Sequence, residues 1–87
     1  MADITETVTE VAPNLGKKFI YFTAAKTAQN DTITFSSYTT VLNATAQVDG
    51  GSDWENEVIK RDQTTVNLIN LTSTFTGTVH GVAVVVE

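Results

Sequence analysis

Few residues of this chain belong to types that do chemistry. One imidazole, His80, stands between Val79 and Gly81 in an apolar stretch near the end of the chain. A catalytic base needs a nucleophile beside it and a third group to orient it. Cysteine is absent and no serine stands in a nucleophile setting, so His80 reads as a structural or interface histidine. Asp49, Asp53, Glu55 and Glu57 crowd around "DGGSD" and raise the question of calcium. Calcium takes six to eight oxygens, from loops with acids at alternating positions and a late bidentate Glu. Here Gly50, Gly51 and Ser52 occupy the ligand positions, and Glu55 and Glu57 fall on a strand. The cluster therefore reads as a solvated acidic hairpin tip. The same glycines lack the lysine and following helix of a phosphate loop. Trp54 is the remaining candidate: at the head of a strand it could stack on a sugar ring, anchor a partner, or cap a small core. The expectation is a non-enzymatic protein with no catalytic residue, metal, cofactor or small-molecule substrate.

Size and charge narrow the classes further. At 87 residues the chain makes one domain, and such a domain buries only roughly 60% of its unfolded surface. Without cysteines it has neither disulfides nor thiolate metal sites to support it, which leaves regular packing and oligomerisation. The net charge is −5 and the pI is near 4.5. Lys17, Lys18, Lys26, Lys60 and Arg61 are too scattered to track a phosphate backbone, so nucleic acid is not an expected ligand. No run approaches the ~18 apolar residues of a membrane span, and "MADITETVTE" lacks the pattern of a signal peptide. The expectation is a chain made in the cytoplasm. Its sixteen threonines suit the wet face of a sheet and are poor in helices. Sequons at Asn30, Asn43 and Asn70 arise readily in so Thr-rich a chain.

The elements follow from period-2 patterning. Residues 1–16 read as an extended arm, punctuated by Pro13 and Gly16. Its apolar residues Ile4, Val8 and Val11 are too few for a core, so the arm either docks on a neighbouring molecule or forms an edge strand at home. From residue 17 the domain proper begins. "KKFIYFTA" (17–24) and "DTITFSSY" (31–38) read as strands. In "TVLNATAQV" (40–48), Leu42, Ala44, Ala46 and Val48 are expected on one face, with Val41, Asn43, Thr45 and Gln47 on the other. "DGGS" tolerates positive φ and predicts a tight reversal. "WENEVIKR" (54–61) and "TTVNLINL" (64–71) follow as strands. In the last one, "TVHGVAVVV" (78–86), Thr78, His80, Val82, Val84 and Val86 share one face, and Val79, Gly81, Ala83 and Val85 the other. Both faces are apolar near the end, so this strand is either central in the core or covered on its far face by another subunit. About six strands and no helix of ten residues predict an all-β antiparallel sandwich or small barrel with an extended N-terminal arm.

The order "TTVLNATAQVDGGSDWENEVIKRDQTTVNLINLTSTFTGTVHGVAVV" resembles small structural proteins encoded among the capsid and tail genes of tailed viruses of bacteria and archaea. The likeness is one of texture and covers about half the chain. It consists of an Ala/Val strand, a Gly turn, a "TVNL"-like strand end and a "TGTVHGVAV"-like closing strand. It implies a β-sandwich or barrel displayed in many copies on a virion, such as a capsid decoration (cement) or minor capsid protein. Its partners would be copies of itself and a major capsid protein, and an arm crossing to a neighbour would be in keeping. No functional residue carries over. The contact residues expected on this reading are Ile4, Val8, Val11, Trp54, Val82, Val84 and Val86. The alternative is a small carbohydrate-binding or adhesive module that stacks sugars on Trp54, Tyr21 or Tyr38.

Overall fold

The structure is a computed structural model that describes residues 2–14 and 16–87, leaving aside the side chains of residues 11–14. Eight strands follow one another: β1 (Glu6–Asn14), β2 (Lys17–Lys26), β3 (Asp31–Thr34), β4 (Thr40–Asp49), β5 (Trp54–Asn56), β6 (Ile59–Arg61), β7 (Leu68–Leu71) and β8 (Gly77–Val86). They form two antiparallel sheets, one of five strands in the order β1-β2-β8-β4-β5 and one of three in the order β3-β7-β6. The described residues hold no helix. The all-β sandwich expected from the alternation is the fold.

The core lies between the sheets. From the five-stranded sheet it takes Ile20, Phe22, Ala24, Val41, Val48, Val79, Ala83 and Val85, and from the other side Ile33, Phe35, Ile69 and Leu71. Phe22 and Phe35 meet edge-on across the layers, with centroids 5.2 Å apart at 75°, the arrangement that ring quadrupoles favour. Phe22 fits because Gly81 lies opposite it in the β2–β8 ladder. A β-carbon at Gly81 would collide with the Phe22 ring. The space left by the missing side chain of Gly81 is thus filled by the chain's own phenylalanine.

Several boundaries differ from the pattern, each for a physical reason. Residues 6–14, read as part of an arm, form the edge strand β1, paired antiparallel with β2 from Glu6↔Ala24 to Asn14↔Lys17. Residues 2–4 reach the other sheet: Asp3 bridges Thr32 in parallel, Ile4 N donates to the Thr32 carbonyl at 2.8 Å, and Thr32 N donates to that of Ala2 at 2.8 Å. The start of the chain therefore straps both layers together, in keeping with the edge strand at home that the sequence left open for it. In β4 the register shifts between Val41 and Asn43. That bulge turns Val41 into the core and Leu42 out to 49% exposure, reversing the faces expected for these two residues. The strand expected over 54–61 breaks into β5 and β6 at Glu57, whose side chain is drawn inward. The strand expected over 64–71 is only Leu68–Leu71, because Asp62 accepts from the Thr64 and Thr65 amides at 3.0 and 2.6 Å and holds a turn there. The reversal at "DGGS" is present, with Gly51 at φ 104° and its N–H donating to Asp49 Oδ1 at 2.9 Å.

Candidate functional site

β8 is the middle strand of the five-stranded sheet, hydrogen-bonded to β2 on one side and β4 on the other. Its inward residues are covered by the second sheet, but nothing among the described residues covers its outward ones. Ladder register sets out that outer face as rungs. One runs Thr7–Thr23–His80–Gln47–Asn56, the next Thr9–Tyr21–Val82–Thr45, and the third joins Phe19, Val84 and Asn43. Phe19 is 53% exposed and Val82 52%. None of these positions is charged, although the chain has ten acids and five bases. The nearest outward charges stand at opposite ends, Asp49 on the rung with Thr78 and Lys17 on the rung with Val86. Trp54, paired with Asp49, leans over this face and is 54% exposed.

The outer face has two distinct ends. At one, Phe19, Asn43, Thr45, Val82 and Val84 line a hollow of about 160 Å³; Leu42, exposed at the bulge, lines a separate hollow with Ile59, Arg61 and Ile69. At the other, Tyr21, Thr45, Gln47, Asn56, His80 and Val82 line a hollow of about 360 Å³. There the Tyr21 hydroxyl lies 2.6 Å from His80 Nδ1, and the Trp54 and His80 rings are 5.0 Å apart at 41°. Gln47 Nε2 donates to Asn56 Oδ1 at 3.2 Å. These groups can bind and orient a ligand.

The residues singled out from sequence separate accordingly. Trp54, Val82, Val84 and Val86 share the outer face. Ile4 and Val8 pack against the chain's own core, and the Val11 side chain lies outside the described residues. Tyr38 is unsuited to stacking a ligand: it is buried and its hydroxyl donates to Glu10 Oε2 at 2.9 Å. Burial and the Glu10 carboxylate both raise its pKa. Glu10 itself is held below the usual carboxylate range by Lys18 and then by Tyr38. The acidic cluster at the turn is dispersed. Glu57 leaves it to pair with Lys26 at 2.6 Å, both side chains wholly buried, and no group of three potential metal ligands exists among the described residues.

Two ionisable centres went unread in the sequence. Lys26 Nζ also donates to the Ser73 carbonyl and Oγ, each at 2.8 Å, while Glu57 Oε2 accepts from the Val58 and Ser73 amides. Asp31, fully buried, accepts from the amides of Ala2, Thr27 and Ala28 at 3.0, 2.9 and 3.1 Å. Burial pushes its pKa up, but those amides outweigh burial and leave the carboxyl below its ordinary value. Both centres join loops to the sandwich, a structural duty. The signal for Lys26 was its inward parity with Phe22 and Ala24. Phe19 and Leu42, the other outward apolar residues, were hidden by an aromatic run and by a bulge.

No family model, curated protein or solved structure matches this chain. Among the described residues no helix is long and apolar enough to cross a membrane.

Proposed function

We propose that this chain is a non-enzymatic structural subunit of a virion, of the capsid decoration or minor capsid kind, that docks through the outer face of its five-stranded sheet. The observation that carries the reading is the uncharged stretch of that face, where Phe19 and Val82 stand about half exposed in an otherwise acidic molecule. Charge depletion with exposed aromatic and aliphatic residues marks the centre of a protein interface. At about 25 cal/mol per Å² of apolar area, a few hundred Å² per copy contribute several kcal/mol before association costs. Repetition over a lattice then multiplies modest contacts. The expected contact set moves from the arm to the sheet: Phe19, Val82 and Val84 replace Ile4 and Val8, which are used at home. The virion assignment itself draws on the textural resemblance of the second half of the chain.

Density-gradient fractionation of particles from the producing cells tests this. Wild-type chain is expected to co-sediment with particles, and the Phe19→Ser/Val82→Ser variant to remain in the soluble fraction while still folded. Wild-type chain found only in the soluble fraction would overturn the assignment.

A further inference from the structure

The Trp54 end of the outer face has a polar inventory that protein docking does not call for. His80 Nδ1 is taken by the Tyr21 hydroxyl at 2.6 Å. His80 Nε2 has no partner among the described residues and serves a ligand in either tautomer, donating when the Tyr21 hydroxyl donates to Nδ1 and accepting when Nδ1 donates to that hydroxyl. Gln47 and Asn56 spend one group each on their mutual bond. Whichever way the two amides are turned, one N–H₂ and one carbonyl oxygen remain for a ligand. The Thr45 hydroxyl completes the set. A donor, an acceptor and two groups able to adapt therefore converge on one hollow of about 360 Å³, within the range of small-ligand sites.

Above this set stand the aromatic rings. His80 lies between Trp54, at 5.0 Å, and Tyr21, at 6.2 Å. The Trp54 ring rests on His80 on one side and is about half open to solvent. The negative face of such a ring attracts weakly positive C–H groups. No charged side chain occupies this rung or the next, from Thr7 across to Asn56 and from Thr9 across to Thr45. A ligand seated here meets an apolar, electron-rich platform beside neutral donors and acceptors.

We infer that the hollow lined by Tyr21, Thr45, Gln47, Asn56 and His80, with Trp54 at its edge against His80, is a binding site for a neutral saccharide. A pyranose has the matching chemistry: a C–H face to lay on Trp54, and hydroxyls that both donate and accept to engage the amides and His80 Nε2. The net charge of −5 disfavours acidic sugars at this uncharged surface. The inference is separable from the virion assignment: its hollow shares only Thr45 and Val82 with the one beside Phe19, and its test changes Trp54 and Asn56 and leaves Phe19 and Val82 in place.

The test is titration of the ¹⁵N-labelled full chain with tetrasaccharides of glucose (α- and β-linked), galactose, mannose and N-acetylglucosamine, with a galacturonic acid tetramer as the charged control. At least one neutral tetrasaccharide is expected to give saturable shifts at the Tyr21, Gln47, Asn56 and His80 signals and the Trp54 indole. Its affinity should be unchanged from about 50 to about 500 mM NaCl, because no charge pairs form. Trp54→Ala is expected to weaken binding at least about tenfold, and Asn56→Ala about fivefold, as for one lost hydrogen bond. Both residues are exposed, so the variants remain folded. The inference is overturned if no neutral sugar binds, if only the acidic tetramer does, if both variants bind like wild type, or if the shifts track protein concentration and not sugar.

Discussion

Gly81 and Val82 are consecutive in β8 and face opposite ways. Gly81 is buried under the Phe22 ring, where even a methyl group has no room. Val82 stands 52% exposed on a face that no second layer covers among the described residues. The same sheet is thus finished on one side and open on the other. On the inner face the sequence is fitted to itself, with Phe22 against Gly81 and Phe35 edge-on to Phe22. On the outer face it keeps valine, phenylalanine and tryptophan in water and confines charge to the two ends. An all-apolar strand end is explained at home only for half its residues. Interior fit and exterior openness make different demands, and substitutions on the two sides should separate stability from association.

The inner side should yield the largest loss at Lys26. Removing its ammonium leaves the Glu57 carboxylate wholly buried without its cation, and strands the Ser73 carbonyl as well. Lys26→Ala is expected to cost about 3–5 kcal/mol, a large share of the ~4–13 kcal/mol of a domain this size. Urea unfolding followed by Trp54 fluorescence measures it. Replacing both partners by apolar residues should not restore stability, because Glu57 also satisfies the Val58 and Ser73 amides. Recovery in the double variant would mean that the ion pair alone, and not the loop network, is what matters.

Asp31 gives a pH-dependent version of the same test. Its folded pKa lies below the ordinary value of 3.8, so its contribution is fully present above that value and is lost as pH falls through the lower, folded one. Thermal unfolding of wild type between about pH 6 and about pH 2 should show this decline. Asp31→Asn is expected to cost about 1–3 kcal/mol at neutral pH, since it trades charge-assisted bonds to three amides for neutral ones. The variant should show a flatter acid limb. An unchanged acid slope would place the acid sensitivity elsewhere.

How much of this was legible in the sequence depends on whether local alternation or long-range pairing decides. The two faces of 78–86 could be read directly, because nothing interrupts the period of β8. Those of β4 could be read from Asn43 to Val48 but not at Val41 and Leu42, since one extra residue at Leu42 reverses the parity there and leaves no local mark. The first residues looked poor in apolar content because a strap needs backbone pairing more than side chains: Ala2, Asp3 and Ile4 are held through Thr32. The Lys26–Glu57 pair joins positions 31 apart, a distance over which composition carries no information. At the candidate site, Trp54 and His80 were each visible as isolated residues. Their contact depends on the registers of β5 with β4 and of β4 with β8, which only the assembled sheet supplies.

The smallest expected change in stability closes the comparison at adjacent positions. Gly81→Ala adds one methyl group facing Phe22, and overpacking of this kind costs about 1–3 kcal/mol. Val82→Ala removes two methyl groups one residue later, a larger change in apolar volume. A half-exposed side chain with no layer above it leaves no cavity behind, so its stability should change by no more than about 0.5 kcal/mol. Paired urea titrations of the two variants measure the contrast, with equal m-values confirming that both native states are intact. If Val82→Ala proved as costly as Gly81→Ala in the isolated chain, Val82 would be doing its work within the protomer. The outer face would then be part of the fold's own stability and not a surface held open for something else.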